Sequence, residues 1–233
     1  MYSHHSHSGD YVAHALDTLE TIIARAVELH FKVFCLTEHM PRLTSNYLYP
    51  EEIERGYGVK QLQDNFERYV KHAKRLQAAN ISETKLLIGF ETEGIDQEHI
   101  EQAKRLLEQY KSVVNMTIGS VHYVHGIPID FSPELWQEAR HKSGSVRELF
   151  KDYFNLQYTV LSELKPEVVG HFDLIRLFLP NEIDPHTEKL LSDVNLKTDW
   201  PDVWELIERN VRYVNSYGGL FELNSAAIRK GWN

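Results

Sequence analysis

The chain alternates short apolar runs with longer segments in which apolar and polar residues are interleaved. In the first long segment, about residues 17–30, apolar residues recur at the spacing of one helix face: Leu19, Ile22, Ile23, Ala26 and Val27. The apolar run over residues 33–36 then predicts a buried strand. Because this alternation is typical of β-α units around a mostly parallel sheet, the pattern predicts an α/β fold.

The same alternation continues to the end of the chain. Further strands are predicted at 86–90, 113–121, 167–170 and 219–223, and further helices at about 62–76, 97–110, 146–163 and 202–216. With a short strand before His5 there are six strands, whereas a closed β/α barrel needs seven or eight, so we expect a barrel that stops early. Residues 40–58 contain two prolines and two glycines and predict a long loop, of a length usual for lids or disordered segments.

The amino-acid composition argues against several classes of protein. The chain has 25 Lys+Arg and 34 Asp+Glu, and this net charge of −9 argues against binding to a nucleic-acid phosphate backbone. Cys35 is the single cysteine, which excludes an intrachain disulfide, and its apolar strand suggests an inert core residue. We find no signal-peptide pattern and no apolar run near the ~20 residues of a membrane span, so we expect a cytoplasmic protein without membrane contact.

Histidine and glutamate recur where the predicted strands end. The residues that follow successive strands are His39, Glu91, His122 and His171. Because the carboxyl ends of parallel strands meet at one face of the fold, we expect these side chains to lie close together. His5 and His7 add two imidazoles on one side of an extended segment.

This ligand set favours a metal centre with more than one ion. Imidazole suits Zn, Fe or Mn, and a carboxylate can bridge two ions about 3.5–4 Å apart. Any one of these histidines taken alone fits a packing role better than a ligand role. The alternative for residues 4–7 is the remnant of a purification tag.

Other polar residues allow two interpretations. His14 and Asp10 follow the opening pair closely enough to supply a further ligand, yet Asp10 could equally cap a turn. Asp173 could orient an imidazole or begin a helix. Solvent exposure explains the histidines on polar faces and in loops, which are His30, His72, His99, His141 and His186. No nucleophile elbow, P-loop or dinucleotide-binding glycine motif is present in the sequence.

Six motifs follow one another along the chain. They are His5-Ser6-His7-Ser8, Leu36-Thr37-Glu38-His39, Gly89-Phe90-Glu91, Gly119-Ser120-Val121-His122 with Gly126-Ile127-Pro128-Ile129-Asp130-Phe131, Gly170-His171-Phe172-Asp173, and Glu222-Leu223-Asn224. In this order they resemble the histidinol-phosphate phosphatases of the PHP (polymerase and histidinol phosphatase) superfamily, and most closely its fungal members. The resemblance implies a single PHP-type domain over residues 1–233, folded as a distorted seven-stranded β/α barrel that lacks its last strand and carries a trinuclear metal centre.

The resemblance also implies a role for each ligand. His5 and His7 would hold the first ion, Glu91 would bridge it to the second, and His122 and His171 would complete the second site. His39 would serve a third ion with His14, or with Asp10 as the alternative. The implied cofactors are two or three divalent transition-metal ions (Zn, Fe or Mn), with Glu91 and His122 at the catalytic centre.

Two arginines also resemble residues of the family, whereas one motif of the family is missing from this sequence. Arg176 and Arg229 resemble the basic residues that receive the substrate phosphate, and a surface salt bridge is the alternative for each. The family normally continues to an Asp-x-His motif that supplies one ligand each to the first and third ions. This sequence ends at Asn233 without that motif, so we expect a C-terminally incomplete domain, either a fragment or a natural truncation, unless another chain supplies those ligands.

The resemblance implies hydrolysis of L-histidinol phosphate to L-histidinol and phosphate, a step of histidine biosynthesis, by a metal-activated hydroxide. The implied partner is this small phosphomonoester, and the sequence leaves the oligomeric state open. One alternative is a PHP-type phosphoesterase that acts on nucleotides or nucleic-acid ends. The other is a truncated metal-binding barrel without turnover.

Overall fold

The computed structural model describes residues 1–224 of the chain. The strands are β1 (Tyr2–Ser3), β2 (Val33–Leu36), β3 (Lys85–Glu91), β4 (Met116–Gly119), β5 (Tyr123–Val124), β6 (Ile127–Pro128), β7 (Val168–Val169) and β8 (Leu220–Phe221). The helices are α1 (Leu19–Glu28), α2 (Pro50–Glu54), α3 (Val59–Ala79), α4 (Gln97–Gln109), α5 (Pro133–Ser143), α6 (Val146–Leu164) and α7 (Pro201–Tyr217). Within this range, no helix has the length and apolar character needed to cross a membrane.

The chain divides into two compact units, which we describe in turn. Residues 1–93, 97–119 and 166–170 form the first unit, and residues 94–96, 120–165 and those from 171 onward form the second. The first unit contains β1 to β4, β7 and α1 to α4, whereas the second contains β5, β6, β8 and α5 to α7.

The first unit is built on a parallel sheet with the strand order β1-β2-β3-β4-β7. Its core includes a buried cluster of Cys35, Met116, Ile118 and Val168. The α3 helix is fastened to the sheet by Tyr69, whose hydroxyl lies 2.5 Å from the carbonyl oxygen of Leu36 and 2.7 Å from that of Gly89. This contact joins one helix to two neighbouring strands near their carboxyl ends.

Local sequence signals set the helix ends in the second unit. The α5 helix begins after Ser132, whose side chain accepts a hydrogen bond from the backbone N–H of Leu135, and it ends at Gly144 with φ of 91°. Next, Ser145 caps α6 by accepting from the backbone N–H of Glu148 at 3.1 Å. The α6 and α7 helices pack against each other. Between β5 and β6, Gly126 takes a positive φ of 74° in the hairpin turn.

Most predicted elements lie within a few residues of the observed ones. The helices predicted at 97–110, 146–163 and 202–216 match α4, α6 and α7 to within one residue at each end. The strand predicted at 113–121 is shorter, since β4 covers Met116–Gly119. The prediction of a plain loop over 40–58 is wrong, because this segment contains α2 and buries Arg42 and Glu52.

Candidate metal centre

Glu91 is the last residue of β3. Its backbone pairs with residues 38–40, which follow the end of β2. Its backbone N–H donates to the carbonyl oxygen of Glu38 at 3.0 Å, and its own carbonyl accepts from the N–H of Met40 at 2.9 Å. His39, between those two residues, forms a parallel bridge with Glu91. The sheet register therefore places the His39 and Glu91 side chains next to each other.

Three imidazoles converge on one oxygen of Glu91. Its Oε2 lies 3.1 Å from His5 Nε2, 3.1 Å from His7 Nε2 and 3.1 Å from His39 Nδ1. The Nε2 atoms of His5 and His7 are themselves 3.1 Å apart. The Glu91 side chain is 1% exposed, so its carboxylate is almost fully removed from water.

These distances fit a bound cation. With metal–nitrogen distances of about 2.0–2.1 Å, two ligand atoms of one ion lie about 2.9 Å apart in octahedral and about 3.4 Å apart in tetrahedral geometry. The separations of 3.1 Å fall between these values. Because a buried carboxylate and several imidazoles facing one point are costly without a compensating charge, the donor set fits the expected divalent ions.

A second group of imidazoles shares His7 and His39 with the first and adds His14. The ligand atoms of His7, His14 and His39 lie within 4.8 Å of one another. The His14 ring is 5.7 Å from that of His7 and 5.5 Å from that of His39. Asp10, the alternative to His14, instead accepts a hydrogen bond from the backbone N–H of Leu19 at 2.8 Å. The structure therefore brings His14 to the imidazole group and uses Asp10 at the start of α1.

Glu38 lies on the side of His7 opposite Glu91, within ion-pair distance but without a hydrogen bond to the ring. Its Oε1 accepts from the backbone N–H of Ser8 at 2.9 Å and from the hydroxyl of Ser8 at 2.6 Å, while its Oε2 lies 3.6 Å from His7 Nδ1. A ligand imidazole with a carboxylate behind its other nitrogen has a fixed orientation. The sequence motif alone assigns no role to Glu38, although its position beside His39 at a strand exit is a signal for one.

Two stacked imidazoles, those of His7 and His39, have pKa values that are shifted in opposite directions. The rings of His7 and His39 lie 4.4 Å apart and nearly parallel. Burial lowers the pKa of His7, but the neighbouring Glu38 and Glu91 carboxylates outweigh it and hold the pKa above its ordinary value. Burial lowers the pKa of His39 to about 4. The cluster therefore favours the neutral, ligating form at His39.

The second unit presents its own pair of imidazoles. His122 Nε2 and His171 Nε2 are 3.2 Å apart, which again is the separation of two ligands on one ion. The backbone N–H of His171 donates to Glu222 Oε2 at 2.8 Å, and the Tyr153 hydroxyl donates to the carbonyl oxygen of Phe172 at 3.2 Å. Glu222, known from the sequence only as a motif residue, thus fixes the backbone of a predicted ligand.

Solvent exposure does not explain every remaining histidine. His30, His141 and His186 are exposed, as predicted. The prediction is wrong for His99, which is 1% exposed and accepts a hydrogen bond from the backbone N–H of Leu43 at 3.2 Å. It also fails for His72, which is largely buried and whose ring nitrogens lie 2.8 Å from the hydroxyl of Tyr11 and 2.8 Å from a carboxylate oxygen of Glu20.

The structure describes one of the two arginines that are predicted to bind the substrate phosphate. Arg176 is exposed and ends a 3₁₀ turn, Leu174–Arg176, in the second unit. Asp173 precedes this turn, is exposed and makes no capping hydrogen bond with its side chain. Arg229 lies outside the described residues.

The chain is similar to known proteins along almost its whole length. The model of the PHP domain family matches residues 3–226. A histidinol-phosphatase of Saccharomyces cerevisiae is 38% identical, with 99% of this chain and 74% of the relative covered. A probable histidinol-phosphatase of Schizosaccharomyces pombe is 44% identical, with 99% of this chain and 71% of the relative covered.

A similar fold occurs in a solved structure. A candidate histidinol phosphatase from Listeria monocytogenes has a TM-score of 0.75 and 19% sequence identity, with 100% of this chain and 85% of the other covered. At that identity the likeness concerns the fold, and it confirms the predicted PHP-type α/β class. Because the PHP family model matches almost the whole chain and the two fungal relatives are 38% and 44% identical to it, the chain belongs to the PHP-domain family, in the branch of the fungal histidinol-phosphatases.

Proposed function

We propose that this protein is a metal-dependent phosphatase that hydrolyses L-histidinol phosphate to L-histidinol and phosphate. The observation that carries the chemistry is the convergence of His5, His7 and His39 on the buried Oε2 of Glu91. The substrate follows from the two fungal relatives, which are named for this activity and are related along 99% of this chain. The reaction breaks a phosphomonoester bond with water and places the protein in histidine biosynthesis.

We assign the metal ligands by group. His5, His7 and Glu91 would hold one ion, His14 and His39 would contribute to another, and His122 and His171 would hold a further one. Two or three divalent ions, of Zn, Fe or Mn, would be bound. When bound, such ions supply a lowered pKa for coordinated water and positive charge for the phosphoryl oxygens.

The protein residues would do the remaining work of binding and orientation. Glu38 would keep the His7 ring turned toward Glu91, and Glu222 would keep the backbone of His171 in place. Arg176 would bind two phosphoryl oxygens through its planar guanidinium, and Arg229 would add a second cation. The net charge of −9 makes such local cations necessary for a substrate that is itself an anion.

A substrate panel tests the proposal. The 233-residue chain is reconstituted with Mn²⁺ or Zn²⁺, and phosphate release is measured with histidinol phosphate, a nucleoside monophosphate and a 5′-phosphorylated oligonucleotide, with metal content read from the same sample. We expect release from histidinol phosphate at a kcat/KM at least about 100-fold above that of the nucleotides, a difference of about 2.7 kcal/mol.

Each other outcome points to one of the alternatives. Preferred hydrolysis of the nucleotide substrates would show a PHP-type phosphoesterase of another specificity. Bound metal with no turnover on any substrate would contradict an enzymatic function of this chain and favour a metal-binding domain. The cytoplasmic setting and the absence of a nucleic-acid partner stay predictions.

A further inference from the structure

The α2 helix, in segment 40–58, is fastened to the first unit by buried ion pairs. Arg42 is 2% exposed, and its guanidinium donates to Glu93 Oε1 at 2.8 Å through Nη1 and to Glu52 Oε1 through Nη2. The other oxygen of Glu52 accepts from the backbone N–H of Tyr49 at 2.8 Å. Because breaking a buried ion pair leaves an uncompensated charge, these contacts fix the position of α2.

The same helix contacts the loop that carries His14. Arg55, which directly follows α2, donates from Nη2 to the carbonyl oxygen of Ala13 at 2.5 Å. Glu51 lies one helical turn earlier, and its Oε1 is 3.7 Å from His14 Nδ1. Two side chains of one helix face therefore hold α2 against residues 13 and 14.

One oxygen of Glu51 is buried without a hydrogen bond. The side chain as a whole is 27% exposed, but its Oε2 is buried, and no donor within residues 1–224 hydrogen-bonds to this atom. Removing a carboxylate oxygen from water is costly unless a donor or a cation takes the place of the water. A cation beside Glu51 would compensate this cost.

The neighbouring imidazoles are themselves candidate ligands of a cation. The ligand atoms of His7, His14 and His39 lie within 4.8 Å of one another. Two ligand atoms of one ion can be at most about 4.2 Å apart, since metal–oxygen and metal–nitrogen distances are about 2.0–2.2 Å. The 3.7 Å between Glu51 and His14 is within this limit. Neutral imidazoles bring no charge, so a carboxylate is the group that would balance a divalent ion.

We propose that Glu51 is an additional residue of the metal centre: its carboxylate supplies negative charge to the ion that His14 and His39 would bind, and it raises the affinity of that site for a divalent cation. This inference rests on the proposed metal function and deepens it. The sequence motifs assign no role to Glu51. The role also gives α2 a task, because Arg42 and Arg55 hold this helix at the loop of His14.

The first test measures Zn²⁺ affinity by titration against a competing chelator. We expect Glu51→Gln, which keeps the size of the side chain and removes its charge, to weaken one site about 10–100-fold and to leave the other sites unchanged. Glu51→Asp keeps the charge and should lose less. Glu54→Gln is the matched control, because it makes the same change at an exposed position of α2, and it should bind Zn²⁺ like the wild type.

A double-mutant cycle identifies the site on which Glu51 acts. His14→Ala alone should weaken the same site. In the His14→Ala background, Glu51→Gln should cause a loss that is at least about 3-fold smaller than in the wild-type background, because two residues that act on one ion are not additive. Equal losses in both backgrounds would place the effect of Glu51 at another site and overturn the proposal.

Thermal unfolding in chelator separates a metal role from a structural one. Because metal-free protein buries an oxygen of Glu51 without a donor, Glu51→Gln should melt at or above the wild-type Tm in chelator, and it should lose part of the rise that Zn²⁺ causes. A lower Tm in chelator with unchanged Zn²⁺ affinity would show a structural contact with His14 and overturn the proposal.

The titration also separates failure of this role from failure of the proposed function. If the wild type binds Zn²⁺ and Glu51→Gln binds it equally well at every site, the role of Glu51 falls and the metal function stands. If the wild type binds no Zn²⁺, the metal function and the role of Glu51 fall together.

Discussion

Replacing Glu91 with glutamine is the most direct perturbation of the proposed centre. The change keeps the size of the side chain and removes the negative charge from the point where three imidazole nitrogens meet at 3.1 Å. Because the family resemblance makes Glu91 a bridge between two ions, we expect Glu91→Gln to lose more than one ion per chain. We also expect loss of phosphatase activity.

The magnitude follows from the linkage between binding and folding. An ion present at 1,000 times its Kd stabilises the folded state by about 4.1 kcal/mol, which corresponds to a rise in Tm of about 8–16 °C for a domain of this size. A 100-fold weaker site at the same concentration contributes about 1.4 kcal/mol, a rise of about 3–6 °C. The difference between the two rises is large enough to measure.

The assay compares thermal unfolding with and without chelator, together with metal content by elemental analysis. Glu167→Gln is the control, since Glu167 lies just before β7 and accepts from Thr117, from its backbone N–H at 2.8 Å and from its hydroxyl at 3.2 Å. It should retain the full metal-dependent rise. An unchanged metal content and an unchanged rise in Glu91→Gln would refute the role of Glu91 as the shared ligand.

Three further predictions concern the sheet, the thiol and the phosphate site. Gly89→Ala should lower Tm by about 6–12 °C, because the new Cβ would lie 2.5 Å from the backbone oxygen of Met116, whereas Gly58→Ala, with open space around it, should not; equal melting curves would contradict this. Burial raises the pKa of Cys35 from 9.0 to about 12, so its contribution to stability is complete below pH 9 and is lost as the pH rises toward 12. A thiol reagent at pH 8 should therefore modify it only after denaturation, and rapid labelling of the native protein would show otherwise. Arg176→Ala should lower kcat/KM for histidinol phosphate about 10–100-fold in steady-state kinetics; an unchanged value would leave the surface-salt-bridge interpretation.

Regular elements with a clear period could be predicted from the sequence. The apolar stripes behind α4, α6 and α7 repeat at helical spacing, so one face of each helix is defined without tertiary information. The α5 helix was missed although Ser132, Pro133 and Gly144 are its start and stop signals.

Charged residues in irregular segments could not be predicted to be buried. Arg42 and Glu52 stand in a stretch rich in proline and glycine, where the expectation for any single charge is exposure to solvent. Their burial depends on a partner more than fifty residues away from Arg42, since Glu93 supplies the second carboxylate. The predicted exposure of His99 is wrong for the same reason. This histidine accepts a hydrogen bond from a backbone N–H in that segment.

By itself, the sequence determined the α/β class, the helix faces and the residues at the strand exits, because these follow from local periodicity and from the geometry of parallel strands. Only the tertiary structure decided that Glu91 receives three imidazoles on one oxygen, that His14 rather than Asp10 joins them, and that Glu93 contacts both Arg42 and His39. These contacts join residues that are far apart in the chain. Their distances are set by the packing of the whole unit, and no local pattern records them.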